Sequence, residues 1–205
     1  MKLKILVGIA LTLCLCACFS SPSSRFYMLN ALEESAASGM AGADQNSMSI
    51  CVGPVVLSEY LDRKQLSVRD GGNEVLYSEF HRWAEPLDAA FSRVLVENLS
   101  LLLGTSRINV FPWRSASPAD YQVRFMLLRF NGDPSGNAEL KVRWSLEAAG
   151  RKEPVFDRIT SIVEPVESGK HEDLVRAQNN ALNKLSREIA RVIQQAAGQA
   201  NQISE

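Results

Sequence analysis

The sequence predicts an α+β two-layer sandwich, a largely antiparallel sheet carrying two long helices. Three observations lead there. From Ala138 to Ala148, the apolar Ala138, Leu140, Val142, Trp144 and Leu146 alternate with Glu139, Lys141, Arg143, Ser145 and Glu147, the period of a strand with one apolar face. Two longer stretches, His81 to Gly104 and Lys170 to Ala197, repeat their apolar residues at three- and four-residue spacing instead. Finally, the order of strands, helix, strands, helix keeps sheet and helices in separate runs, as in α+β folds.

The chain has 205 residues, with 22 Lys plus Arg against 23 Asp plus Glu. That balance leaves no strong field for an acidic partner, and no nucleic-acid role is expected. Residues 1–17 read as a signal peptide: Lys2 and Lys4 precede an apolar segment from Ile5 to Leu15, too short for a span of about 20 apolar residues. Leu15-Cys16-Ala17-Cys18 then has the layout of a bacterial lipobox, which makes Cys18 the lipidated first residue of the mature chain. The competing readings are an ordinary signal peptide and an uncleaved short anchor. Cys14 and Cys16 leave with the signal, so Cys51 stands alone and no disulfide forms within the mature chain. Its setting, Ile50-Cys51-Val52, suits an inert buried thiol.

Residues 18–24 form a lipidated tether, and residues 25–205 a single α+β periplasmic domain. Six residues, Phe19 to Ser24, reach roughly 20 Å when extended, so the body sits close to its membrane. Phe19 stands where an Asp would favour retention in the inner membrane, which points to the outer membrane and its periplasmic side. Arg25 to Asn30 is strand-like, and Ala31 to Ser47, rich in Ala, Ser and Gly, reads as a loop with a possible helical turn at its start. Ser49 to Leu57 is β-prone, with Gly53-Pro54 marking a bulge, an edge or a strand end. Leu66 to Arg69 and Glu74 to Phe80 flank Gly71-Gly72-Asn73, a hairpin turn; no Lys-Ser/Thr pair follows to make it a phosphate loop.

In the first helix, Pro86 suits the opening turn and Gly104 a left-handed C-terminal cap, with Leu87, Phe91, Val94, Leu95, Leu99 and Leu102 on the buried stripe. Asp88, Arg93 and Glu97 fall mostly on the wet side, and Trp83 is placed to staple the helix start to the sheet. Arg107 to Phe111, Tyr121 to Phe130 and Val155 to Val163 read as further strands, with a hairpin loop at Asn131 to Asn137. Ser168 is the expected N-cap of the last helix, whose stripe is Leu174, Ala181, Leu182, Leu185, Ile189, Val192 and Ile193.

A search for chemistry finds little. His81 and His171 are the only histidines; neither has a second ligand at metal spacing, so no metal and no cofactor are expected. His81 reads as a strand-end residue and His171 as a solvated residue in the first turn of its helix. No nucleophile elbow is present, and a hydrolase built on His81 is the weakest of the function readings. The acidic residues read as solvated surface. Phe80, Trp83, Phe111, Trp113 and Trp144 could instead line an apolar groove for a lipid or a partner segment, with Trp144 expected in the core and Trp113 more open to an interface role.

Several stretches resemble one family along nearly the whole mature chain. These are Cys51-Val52-Gly53-Pro54-Val55-Val56-Leu57, Glu59-Tyr60-Leu61-Asp62-Arg63 with Gln65-Leu66, His81-Arg82-Trp83-Ala84-Glu85-Pro86-Leu87, Glu97-Asn98-Leu99-Ser100, Phe111-Pro112-Trp113 and Arg129-Phe130. They are similar to the ABC-type transport auxiliary lipoproteins (PqiC/YmbA-like), with Ser58 departing from a common proline. The resemblance implies a non-enzymatic outer-membrane lipoprotein, acting as a ring-shaped homo-oligomer. It would dock the far end of a periplasm-spanning tube built by a mammalian-cell-entry (MCE) domain protein of PqiB-like type, which carries phospholipid or other hydrophobic cargo. Tyr60, Leu61, Asp62, Arg63, Arg82, Trp83 and Trp113 are then the candidate partner-binding residues. The alternative is a periplasmic lipid-binding carrier with its own apolar groove.

Overall fold

Two neighbouring strands with the same alternation set the architecture. Strand β6 (Tyr121–Gly132) turns back into β7 (Asn137–Ala148), pairing Val123 with Leu146, Phe125 with Trp144 and Leu127 with Val142 across an antiparallel ladder. All six of these side chains are buried, so one face of the pair is dry. On the other face Arg124 reaches Glu147 at 2.8 Å and Arg129 reaches Glu139 at 2.9 Å, cross-strand ion pairs that keep it wet.

The computed structural model describes residues 22–33, 48–69, 72–112 and 119–203. Before β6 come β1 (Arg25–Tyr27), β2 (Ile50–Leu57), a 3₁₀ turn (Glu59–Leu61), β3 (Gln65–Val68), β4 (Leu76–Trp83), helix α1 (Leu87–Leu103) and β5 (Ile108–Val110). After β7 come β8 (Phe156–Pro165) and helix α2 (His171–Ile203). Strand β7 holds one edge of β6 and carries β8 outside it. The other edge forks: β2 runs parallel to residues 121–127 with β5 beyond it, while β3 meets β6 at Gly132 and carries β4 and then β1. The result is an eight-stranded mixed sheet whose two longest ladders are antiparallel, covered on its dry face by two helices.

Helix α1 buries Leu87, Phe91, Val94, Leu95, Leu99 and Leu102, as its periodicity predicts. Phe91 meets Phe125 and Phe130 edge-on, with both centroid separations 6.0 Å. Gly104, at φ 64°, ends the helix in the left-handed region and donates its N–H to Ser100 O. The helix begins later than the sequence pattern suggests. His81, Arg82 and Trp83 belong to β4, and Pro86 occupies the N-cap rather than the first helical turn, its carbonyl accepting from Ala90 N at 2.9 Å. The strand holds those residues because β1 and β3 both pair with them.

Gly53 marks the break in β2, where the ladder to β6 shifts between Val52 and Val55. Its φ of 107°, and a position where a Cβ would lie 2.9 Å from the Phe111 Cβ, leave room only for glycine. Cys51 is free and buried, and burial pushes its thiol pKa up. Ser58 supplies two bonds to Leu127 O, from its N–H and its hydroxyl, both at 3.0 Å; a proline here would lack the first.

Helix α2 packs Leu174, Ala181, Leu182, Leu185, Ile189 and Ile193 onto the sheet and α1. Ser168 is not its cap. The helix starts at His171, two residues too far for Ser168 to serve, and the serine hydroxyl bonds the Asp173 carboxylate instead. The helix pair holds one polar contact in its core. Asn98 of α1, fully buried, accepts from Leu32 N at 2.7 Å and donates to Asn183 Oδ1 and Ser186 Oγ of α2, both at 2.9 Å. It therefore ties three chain segments together.

The start of α2 is fixed by a second polar contact. His171 is half-buried rather than solvated: its ring stacks on His81 of β4 at 3.7 Å between centroids and 10° between planes. His81 Nδ1 shares a 2.8 Å hydrogen bond with Tyr27 OH, and His171 Nε2 another of 2.8 Å with Ser78 Oγ. Desolvation, then Arg25, lowers the His81 pKa; desolvation, then His81 itself, lowers that of His171. The positive end of the helix adds to the penalty on a charged His171, against Glu172 and Asp173 in the same turn.

Two predictions follow from these contacts. Asn98→Ala leaves the half-buried Leu32 N–H without its acceptor and the buried Ser186 hydroxyl without its donor, and is expected to cost about 2 kcal/mol in urea unfolding; a loss under about 0.5 kcal/mol would show the contact to be dispensable. Because both histidine pKa values lie below the unfolded value near 6.5, the unfolded chain binds more protons in the acid window. Stability from the pair is complete above about pH 7 and declines as pH falls through 6.5 toward the lowered native values. The double variant His81→Gln/His171→Gln should flatten that slope in unfolding midpoints measured between about pH 7 and 5; an unchanged slope counts against it.

Candidate docking surface

Two of the resemblance-bearing stretches, Glu59 to Leu66 and the one that begins at His81, meet at one end of the sheet. After β2, the 3₁₀ turn folds back so that Lys64 O accepts from Trp83 N at 2.7 Å and Gln65 pairs with Arg82. Tyr77 of β4 donates its hydroxyl to Tyr60 O at 3.2 Å, and the Arg63 guanidinium lies over the Tyr77 ring, 5.9 Å from its centroid. Six of the seven candidate partner residues, Tyr60, Leu61, Asp62, Arg63, Arg82 and Trp83, thus come together, although about twenty positions separate the two groups in sequence. Trp113 lies outside the described residues, as does Cys18.

Their exposure differs sharply. Leu61 is core, and Trp83, 6 % exposed, stacks on Phe130 at 6.1 Å between centroids. Tyr60 is half-buried: its hydroxyl donates to Leu128 O at 3.1 Å and accepts from Asn131 Nδ2 at 3.3 Å, and burial raises its pKa. Asp62 and Arg63 are exposed, with Arg82 half-exposed beside them and its Nε donating to Glu79 O at 2.9 Å. The surface available here is therefore a compact patch of mixed charge on a rigid support, in which Asp62, Arg63 and Arg82 stand beside the exposed Glu59, Lys64 and Glu79.

One member of the motif acts inward in a way the sequence pattern did not reveal. Glu85 Oε1 accepts from Arg93 at 2.6 Å, and the same guanidinium donates to Leu29 O at 2.8 Å and to Glu97 at 3.2 Å. These partners, Glu85 foremost, raise the Arg93 pKa and hold the start of α1 against the segment after β1. Arg93 is half-buried by this clamp rather than left on a wet face.

Two open grooves run along the outward side of α1. One, of about 490 Å³, lies between the helix and β5, with Pro54, Val55, Ala89, Val96, Val110 and Phe111 lining it together with the polar Asp88, Ser92, Arg93 and Glu97. The other, of about 650 Å³, continues past Val96 and Glu97 toward Leu32, Leu101 and Ile108. Both fall in the size range of small-ligand sites. Trp144 does not line either. It is buried, and its indole N–H donates to Thr160 Oγ1 at 3.0 Å.

Among the described residues, no three of His, Cys, Asp and Glu come together as a metal-binding group, and no helix is long and apolar enough to cross a membrane. His81 has Nδ1 engaged by Tyr27 and its ring face covered by His171.

Comparisons with known proteins agree with this geometry. Residues 27–190 match the family described as the ABC-type transport auxiliary lipoprotein component. The fold is similar to the crystal structure of an uncharacterized protein, at 19 % identity and a TM-score of 0.69, over 84 % of this chain and 99 % of the other. It is similar also to protein XCC0632 from Xanthomonas campestris, at 16 % identity and a TM-score of 0.72, over 87 % of this chain and 99 % of that one. No curated protein matches the chain closely enough to count as a relative. With the family match spanning most of its length, the chain belongs to the ABC-type transport auxiliary lipoproteins.

Proposed function

We propose that this protein is an outer-membrane lipoprotein, anchored through Cys18 on the periplasmic side, that docks an MCE-domain tube to that membrane without catalysing a reaction. The observation that carries this reading is the exposed Asp62-Arg63 turn, held rigidly by Tyr60, Tyr77 and the Lys64–Trp83 hydrogen bond, in a member of a transport auxiliary family. Rigid presentation suits docking, since little side-chain or loop entropy is lost on binding. Several copies, arranged as a ring, would offer the same turn repeatedly to one tube, and linked weak contacts add up to a firm attachment. Residues 1–17 serve as the signal and 18–24 as the tether, with 25–205 as the docking body.

The two grooves along α1 support a second reading, in which the domain itself carries a lipid. Against a hydrolase stands the engagement of His81 by Tyr27 and His171, which leaves its Nδ1 and one ring face occupied.

Co-purification from detergent-solubilised envelope tests the first reading. The tagged lipoprotein should recover an MCE-domain protein, and the charge reversal Asp62→Lys/Arg63→Glu should lower recovery at least about tenfold, a change on the order of 1.4 kcal/mol. Recovery of no MCE-domain protein, with the chain running as a free monomer, would sink this function. Mass spectrometry of the purified domain addresses the second: co-purifying phospholipid supports the carrier, and an empty protein argues against it.

A further inference from the structure

Strand β1 lies at an edge of the sheet and directly follows the tether. Its parallel register with β4 pairs Arg25 with His81, Phe26 with Arg82 and Tyr27 with Trp83. Tyr27, His81 and Trp83 face the helix layer, as the Tyr27–His81 hydrogen bond and the burial of Trp83 require. Side chains alternate along a strand, so Phe26, Arg82 and Phe80 point to the opposite face. There Phe26 is 64 % exposed and Phe80 42 %, and Met28, next on the Phe26 side, is 52 % exposed. Two phenylalanines and a methionine grouped beside an arginine, itself ion-paired with the exposed Glu79 at 3.8 Å, are more than the scattered exposed apolar residues of an ordinary surface.

The tether identifies what covers them. With Cys18 embedded through its acyl chains, the six residues Phe19 to Ser24 extend at most roughly 20 Å, so β1 is the part of the body held nearest the bilayer. Aromatic and large apolar side chains with basic neighbours partition to the boundary between headgroups and acyl chains. We propose that Phe26, Met28 and Phe80, with Arg82 beside them, form a membrane-facing patch that rests on the lipid surface to which the chain is anchored. This inference rests on the reading of Cys18 as the lipidated residue. It gives the attachment an orientation: the opposite face of the same strands holds Tyr27, His81 and Trp83, so the helix layer points away from the lipid. Arg82 stands at the border between this patch and the Asp62-Arg63 turn, which brings the docking surface to the membrane's edge.

The test uses the full lipidated chain in vesicles of phosphatidylethanolamine and phosphatidylglycerol, with a solvent-sensitive fluorophore on Phe26→Cys or, separately, Met28→Cys. Cys51 is only 6 % exposed and Cys18 is acylated, so the introduced thiol is the one labelled. A control label goes on Lys152→Cys, exposed in the turn between β7 and β8, at the end of β6 remote from Gly132. Labels at 26 and 28 should shift to the blue and be quenched at least about twofold by brominated acyl chains, while the label at 152 is unaffected; adding Phe80→Asp should abolish the quenching at 28. Vesicles that float with the protein while labels 26 and 28 remain aqueous overturn the patch and leave the lipid anchor standing. A blue shift without bromolipid quenching, in a chain that self-associates, assigns the patch to a second copy and overturns the proposal equally. Failure of the chain to float removes the anchor reading itself, and the patch with it.

Discussion

The dry face of the β6–β7 pair is the constraint around which the molecule is built. Trp144, Phe125, Val123, Leu127, Val142 and Leu146 present a continuous apolar surface that one helix cannot cover, and α1 and α2 together close it. Each buried large side chain is worth about 1.5–3 kcal/mol relative to exposure, so register errors that turned this face outward would cost more than the fold can spare. Most polar atoms admitted to the interior are paired, Gln178 Oε1 being an exception. Asn98 serves Leu32, Asn183 and Ser186, and the Trp144 indole N–H donates a hydrogen bond to Thr160, which in turn bonds Glu188.

From that core the family motif acquires a physical meaning. His81 to Leu87 is the joint where sheet becomes helix. Trp83 fills the core at the joint, Glu85 holds Arg93, Arg93 holds the Leu29 carbonyl, and Leu87 begins the buried stripe of α1. The motif thus fixes the joint, and the joint fixes the turn that leans on it. Leu61 and Tyr60 are the inward half of that turn, and Asp62 and Arg63 the outward half. Asp62 and Arg63 thus stand as two charges on a base held by Leu61, Tyr60 and the Lys64–Trp83 hydrogen bond.

The same joint connects the tether to both helices. Strand β1 leaves the tether and pairs with β4; β4 carries His81 against His171 at the start of α2 and runs into α1. A pull on the segment before β1 would therefore be passed into the sheet and both helices within a few residues. The stacked histidines make one of these links sensitive to protonation, because two charged imidazoles cannot share a 3.7 Å stack without repulsion.

Local pattern determined the elements themselves: the period of two in 138–148, the three- and four-residue spacing in both helices, the Gly104 cap and the break at Gly53-Pro54 all report short-range geometry, and each is found where the sequence places it. Family membership was likewise legible, from stretches such as Glu59 to Arg63 and His81 to Leu87. What tertiary structure alone decided were relations between distant segments. The fork of β2 and β3 along one edge of β6, the parallel pairing of β1 with β4, and the meeting of two histidines 90 positions apart leave no periodicity in any window of sequence. The same holds for side-chain roles: Trp83, Arg93 and His171 sit in segments whose pattern permits exposure, and only the contacts of β3, Leu29 and Ser78 withdraw them from water. Phe26, Met28 and Phe80 show the converse, apolar residues in strand-like sequence that the pairing of β1 with β4 turns outward.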